Sequence, residues 1–270
     1  MLILEKSLPS GCQGELLVES ANGGLPMKSK ALLPGVLLCV ALYLYFHLFA
    51  LTTPILRDGD QWFFAQSGAR ILAGQLPYRD FLDMQTPGMD LVYAGSFLLF
   101  GQRFVVANIL FLFIALIFVY LVTSIARAVL DDELTLLSVA LTVFIGLRLT
   151  MDAAHHLFSA VAALAALASV LRTRSLPRII MAGAFCGLSS FFTQTRGLAV
   201  VLALAAFFWW ETHDRATLGH VFRNRLLALL AAYAAVLGAG LSYFLAVAGP
   251  YTVFNAMVLF PSNTTVHIIR

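Results

Sequence analysis

The sequence predicts an all-α polytopic membrane protein with about seven spans, and two observations support this prediction. The first is composition: 60% of the 270 residues are hydrophobic, 11% are charged and the mean hydropathy is +0.88, whereas soluble domains have about 45–50% apolar and about 25% charged residues. The second is that apolar runs recur along the chain with short polar loops between them. The net charge of +3 is small and the arginines are grouped, which indicates a topology signal and not a nucleic-acid-binding surface.

Residues 1–30 are predicted to form a cytoplasmic tail. They contain Gly, Ser and Pro, end with Lys28 and Lys30, and lack an apolar core long enough for a cleavable signal. Leu32 to Ile55 is then an uncleaved first span, because about 20 helical residues cross about 30 Å of hydrocarbon. Lysines concentrate on the cytoplasmic side of such spans. The N-terminus is therefore expected in the cytoplasm of a bacterial cell, with the protein in its inner membrane and the chain after Ile55 on the far side.

The segment 57–88 carries a dense group of charged residues and follows the first span, so it is expected to be an extracytoplasmic loop. From Trp62 to Leu72, apolar residues recur at helical spacing against polar ones, which is typical of a helix lying in the membrane interface. Gly74 and Pro77 are expected to end this helix.

Pro87 and Gly88 interrupt the chain before the apolar run Met89–Phe100. This run is short for a span and suits a re-entrant or interfacial helix, although a full crossing remains the alternative. If it does not cross, the basic segments 172–178 and 213–225 fall on the cytoplasmic side, as the positive-inside rule favours. The remaining predicted spans of the transmembrane domain, residues 31–250, are Phe104–Ala126, Leu134–Leu149, Leu157–Leu171, Ile179–Phe192, Leu198–Trp210 and Leu226–Ala248, and residues 251–270 form a C-terminal segment.

Asp58-Gly59-Asp60 places two carboxylates at the start of the outer loop. Gly59 lets both turn toward one point, which suits a divalent cation such as Mg²⁺ or Mn²⁺, or the hydroxyl group of an acceptor. The alternative is structural, because Asp60 is a good N-cap for a helix that begins at Gln61.

Asp152 and Arg196 share the membrane face of this acidic pair in the favoured topology. His155 and His156 follow Asp152, but neighbouring side chains on a helix diverge by about 100°, so the two histidines are not expected to bind one ion. Arg196 either anchors a helix end or binds phosphate, and both interpretations remain open.

The outer loop continues with Gly74-Gln-Leu-Pro-Tyr-Arg-Asp-Phe81, Thr86-Pro-Gly88 and Leu98-Leu-Phe-Gly101. With the acidic pair and the amphipathic helix, this order resembles the first periplasmic loop of the GT-C superfamily of glycosyltransferases. The resemblance is closest to the bacterial branch near protein O-mannosyltransferases and the lipid A aminoarabinose transferase. It covers roughly Leu32 to Trp210. The family often has His-Pro-Pro or Lys-Pro-Pro where this chain has Thr-Pro-Gly, and Asp-Glu where it has Asp60-Gln61.

The resemblance implies an inverting transfer of a sugar from a polyprenyl-phosphate carrier to an extracytoplasmic acceptor, which is a lipid, a glycan or a protein. Asp60 or Asp58 would take the proton of the acceptor, and arginines would bind the departing phosphate. The residues assigned in this way to phosphate, acceptor or metal are Arg79, Asp80, Asp152 and Arg196.

Two other functions stay open. A transporter or flippase would place acids or bases inside helices near the midplane, whereas the charges here concentrate in an outer loop. A non-catalytic assembly subunit would keep the fold without the chemistry. Members of the family are generally longer than this chain, so it is expected to be a truncated or partial form, which favours that second alternative.

Overall fold

The structure is a computed structural model that describes residues 30–49, 59–147, 152–213 and 219–260. Within these ranges the chain is helical and contains no β-strand, which confirms the all-α prediction. Short π-helical turns extend two of the helices, at Thr142–Leu147 and Asn255–Leu259. The α-helices in chain order are α1 (Leu32–Phe49), α2 (Gly59–Leu72), α3 (Gly88–Phe100), α4 (Val105–Val129), α5 (Asp132–Leu141), α6 (His155–Leu171), α7 (Leu176–Phe192), α8 (Gln194–His213), α9 (Gly219–Ala248) and α10 (Pro250–Phe254).

Among the described residues, three helices are long and apolar enough to cross a membrane: α1, α4 and α9. They contain 18, 25 and 30 residues, against the roughly 20 that a typical bilayer requires. The helices α3, α6 and α7 are apolar but shorter. These lengths support a membrane protein, while the count of seven spans remains a prediction.

The outer segment forms the expected helix, and glycine ends it as predicted. Gly74 has a φ of +86°, and the amides of Gly74 and Gln75 donate to the carbonyls of Ile71 and Arg70 at 2.9 and 3.0 Å. This pair of hydrogen bonds is the Schellman arrangement that a glycine beyond the last helical turn makes possible. Asp60 is the second residue of α2, so it lies inside the first turn and not before it. The position of α2 in the membrane interface remains a prediction.

The helix α3 follows the Pro87-Gly88 break and contains 13 residues. At about 1.5 Å per residue it is about 20 Å long, less than the hydrocarbon thickness of a bilayer. This length favours the non-spanning alternative. Gly88 is required at its start, because a Cβ there would lie 2.3 Å from the carbonyl oxygen of Phe191.

The helix α7 lies between α6 and α9 and approaches α9 very closely. Gly183 and Gly187 are one turn apart on α7, and a Cβ at either position would lie 2.4 Å from the carbonyl oxygen of Leu229 or 2.7 Å from that of Tyr233. Small residues at this spacing let two membrane helices pack backbone against backbone. On the other side of α7, Ser159 of α6 and Ser189 exchange hydrogen bonds at 2.9 to 3.1 Å.

These contacts define two ends of the helical bundle. The helix α6 starts at His155 and α7 returns to end at Phe192, whose ring lies 5.3 Å from that of Phe158 in the first turn of α6. The end that contains the starts of α2, α6 and α8 is called the acidic end here. The other end contains Arg174, which follows α6 after about 25 Å of helix, and is called the basic end.

Candidate functional site

Three helices start close together at the acidic end, and each brings a polar side chain. Asp60 lies in the first turn of α2, His155 and His156 open α6, and Arg196 is in the first turn of α8. Oδ2 of Asp60 is 3.9 Å from Nδ1 of His155, and Nη1 of Arg196 donates to the carbonyl oxygen of His156. The structure therefore brings Asp60 and Arg196, two residues that the sequence predicts for one site, to either side of the histidine pair.

Packing of α2 and α3 holds the segment before α6 in place. The ring of Phe64, one turn after Asp60, meets the ring of His155 edge to face at 5.3 Å. The hydroxyl of Tyr93 in α3 donates to the carbonyl oxygen of Ala153 at 3.1 Å. Phe64 and Tyr93 are fully buried, so the start of α6 is fixed by apolar packing as well as by hydrogen bonds.

The two histidines point toward each other, and the expectation that they diverge is wrong. Their ring centroids are 3.8 Å apart with the planes tilted by 40°. One ligand atom each from Asp60, His155 and His156 lies within 4.8 Å of the others. The angle of about 100° applies to Cβ directions around a helix, whereas each ring also turns through its own side-chain torsions. These three residues could hold a metal ion.

The surroundings of His155 disfavour its protonated form. It is buried, with 4% of its surface exposed, and it lies just before the predicted span Leu157–Leu171. Burial, followed by the neighbouring His156 and the charge of Arg196, lowers the pKa of His155 to about 4. Its 3.9 Å approach to Asp60 is therefore a contact between a carboxylate and a neutral ring, because a neutral imidazole carries no charge to pair.

Arg79 and Asp80 bind each other. The guanidinium donates to both carboxylate oxygens of Asp80 at 3.0 and 2.7 Å. The hydrogen bond from Arg79, together with one from the amide of Leu76 at 2.8 Å, lowers the pKa of Asp80. The pair is exposed, so it is weak, and a phosphate would compete with Asp80 for the arginine.

The other two predicted acids are Asp152, which the structure describes, and Asp58, which it does not. Asp152 is buried, with 8% of its surface exposed, and lies beside Tyr93, whose pKa is raised by burial and, in addition, by the charge of Asp152. Asp58 lies outside the described residues, so its predicted place beside Asp60 stays a prediction.

Sequence reasoning missed a second acidic group, formed by Asp83 and Asp90. Both side chains are fully buried at 0% exposure. Burial, and then a hydrogen bond and the charge of Asp83, raise the pKa of Asp90 well above its usual value. Tyr78 lies beside both acids, and its hydroxyl donates to the carbonyl oxygen of Gln85. An acid inside the apolar run Met89–Phe100 was the available signal, since such residues are rarely placed there without a role.

Comparisons with protein-family models, with curated proteins and with solved structures give no match to this chain.

Proposed function

We propose that this chain is a membrane glycosyltransferase that transfers a sugar from a polyprenyl-phosphate carrier to an extracytoplasmic lipid, glycan or protein. The observation behind the proposal is the meeting of a carboxylate, two histidines and an arginine at the starts of three helices. The resemblance of the 57–88 loop to the first loop of GT-C enzymes supports the same reaction.

Asp60 is the proposed base. Its side chain is half exposed, at 50%, so an acceptor hydroxyl can approach it. In an inverting transfer the acceptor oxygen attacks the anomeric carbon of the sugar, its proton passes to the carboxylate, and the bond to the phosphate oxygen breaks. Asp58 is the second candidate for this role, as in the sequence prediction.

Arg196 is the proposed phosphate ligand. A guanidinium matches phosphate oxygens with two parallel hydrogen bonds. The N-terminal ends of α6 and α8, where Arg196 lies, point their free amides and the positive ends of their dipoles into the same region. Arg79 is a weaker candidate because it already pairs with Asp80, and Asp80 would serve only to position it. Asp152, which is buried beside Tyr93, would help to position the acceptor from inside the protein.

The proposed location is the bacterial inner membrane, with the N-terminus in the cytoplasm and the acidic end outside. A divalent cation, Mg²⁺ or Mn²⁺, on Asp58 and Asp60 is part of the same prediction.

The test is saccharide profiling in the native host after deletion of the gene. We expect one saccharide to disappear, its unmodified acceptor to accumulate, and wild-type protein to restore it. The Asp58→Asn/Asp60→Asn double variant should not restore it, and Asp60→Asn alone should lower the transfer rate by about 10²- to 10⁴-fold, the usual contribution of a positioned base. Glu133→Gln, an exposed acid near the basic end, is the matched control and should restore transfer fully.

Two results would contradict this proposal. An unchanged saccharide profile in the deletion strain would remove the transferase assignment. Full activity in the double variant, at wild-type abundance in the membrane, would remove the acidic pair as the base.

A transporter or flippase is the second candidate, and one observation favours it. Asp90 is a fully buried acid in an apolar helix, as is common for the ion or proton pathways of transporters. This candidate predicts accumulation of a lipid-linked sugar on the cytoplasmic leaflet in the deletion strain, with Asp90 and not Asp60 required for its movement.

A further inference from the structure

We propose that Asp60, His155 and His156 together bind a divalent transition-metal ion of the Mn²⁺, Co²⁺ or Zn²⁺ class. The inference rests on the proposed function and revises its cation site, because the two histidines replace Asp58 as partners of Asp60 and select a different class of ion; binding of the ion does not require that the chain transfers a sugar.

The spacing of the three side chains suits one ion. Ligand nitrogen and oxygen atoms lie about 2.0–2.2 Å from a bound zinc ion, so two ligands of a tetrahedral site are about 3.4 Å apart. The separation of 3.9 Å between Oδ2 of Asp60 and Nδ1 of His155, and the 4.8 Å limit for the whole group, need only small side-chain rotations to reach this value. Asp60 and His156 are partly or fully exposed, so they can make these rotations.

A second observation comes from His155 itself. Its side chain is 95% buried, and within the described residues Nδ1 has no hydrogen-bond partner. Buried polar atoms are nearly always paired, and an unpaired one requires an explanation. This nitrogen faces Asp60, so an ion on the carboxylate would also give Nδ1 its missing partner.

The chemistry of the donors selects the class of metal. Two imidazole nitrogens with one carboxylate suit zinc, manganese, cobalt and iron, whereas Mg²⁺ and Ca²⁺ prefer oxygen ligands throughout. Three protein ligands leave positions on the ion for water or for an oxygen of a bound molecule.

Arg196 adds a positive charge beside the proposed metal site. Its guanidinium is bound to the carbonyl oxygen of His156, so a positive charge stands next to the three ligands. This charge repels any cation at the site, and it favours an anionic molecule on the open positions of a bound ion. A phosphate oxygen fits this arrangement, because the ion and the guanidinium can both contact it.

The experiment is Co²⁺ titration of the full-length protein, purified in detergent, stripped with a chelator and followed by visible absorption. We expect one Co²⁺ per chain, displacement by Zn²⁺ and no displacement by excess Mg²⁺. His156→Ala, which changes an exposed side chain, and Asp60→Asn should each weaken binding by at least about tenfold. His220→Ala, an exposed histidine on α9, is the matched control and should leave binding unchanged.

A measurement on the wild-type protein avoids any dependence on folding of the variants. With ¹⁵N-labelled histidine and bound Cu²⁺, pulsed electron paramagnetic resonance should detect two coupled imidazole nitrogens. Absence of Co²⁺ binding, wild-type affinity in both His156→Ala and Asp60→Asn, or fewer than two coupled histidines would overturn the site.

The outcomes separate this site from the proposed transfer reaction. Sugar transfer that persists after complete removal of metal, with no Co²⁺ bound, rejects the metal site and keeps the transferase. Tight Co²⁺ binding that depends on His156 and Asp60, with an unchanged saccharide profile after gene deletion, keeps the metal site and rejects the transferase.

Discussion

The acidic and basic ends of the bundle use charged side chains in opposite ways. At the basic end, Glu211 is partly exposed and lies between Arg174 and Arg225 at 3.3 and 2.8 Å. At the acidic end, Asp83 and Asp90 are fully buried beside each other, and the amide of Gln85 donates to Oδ1 of Asp83 at 2.9 Å.

The two ends therefore differ in the energetic cost of their charged side chains. Exposed ion pairs with mutual partners contribute little energy and make no demand on the surrounding fold. Two buried acids side by side are unfavourable as carboxylates, because burial and the like charge of the neighbour both oppose ionisation. The acidic end therefore contains a pair of buried acids whose ionisation is disfavoured, and it is the better place to look for chemistry.

The largest expected effect is an all-or-none difference in access between the two ends. In a cysteine-free background, a cysteine at Gln75 near the acidic end should react with an impermeant thiol reagent in intact cells. A cysteine at Ser175, at the basic end, should react only after the membrane is opened. Both side chains are exposed, so burial does not limit the reaction at either position. The reverse pattern would invert the proposed orientation, and equal labelling of both positions would deny that the two ends lie on opposite sides.

The next effect concerns the pH dependence of stability and arises from Asp90. Its pKa is raised in the folded protein by burial and by Asp83, so the folded chain holds a proton that the unfolded chain releases. This contribution to stability is fully present below the unfolded pKa and is lost as the pH rises through the raised pKa. We expect the melting temperature in detergent to fall over that interval. Asp90→Asn, which resembles the protonated acid, should flatten the fall.

Asp80→Asn is the matched control for that experiment. Asp80 lies in the same loop but is exposed and has a lowered pKa, so its contribution is lost at acid pH and not at higher pH. A pH profile that Asp90→Asn leaves unchanged would show that Asp90 does not hold this proton in the folded protein.

The sequence predicted the features that depend on local backbone chemistry. Gly74 ends α2 because the required positive φ is a property of that residue, and the apolar run Met89–Phe100 became α3 with nearly the same bounds. The contact between Asp60 and His155 could not be predicted in this way. It joins two segments far apart in the chain, and it depends on how Phe64 packs against the start of α6.

The candidate site also shows why the spacing of residues in the sequence did not predict contacts between residues that are close in the chain. His155 and His156 meet because their rings turn away from the ideal helical directions. Asp83 and Asp90 are neighbours because Pro87 and Gly88 fold the chain back on itself between them, with Gly88 pressed against the carbonyl of Phe191. A single sequence shows residue types at each position, but these pairings are decided by side-chain torsions and by tertiary packing.

The smallest expected effect is a loss of stability at the basic end. Glu211→Gln removes the charge between Arg174 and Arg225, and we expect it to lower stability by only about 0–1 kcal/mol, since the pairs are partly exposed. Both arginines keep another contact, because their guanidinium groups lie 5.3 and 6.0 Å from the rings of Phe207 and Phe208. Thermal unfolding in detergent at low and high salt measures the loss, which should shrink as salt screens the pairs. A larger, salt-independent loss would mean that Glu211 is buried in the membrane-embedded protein and that the basic end also holds a buried acid.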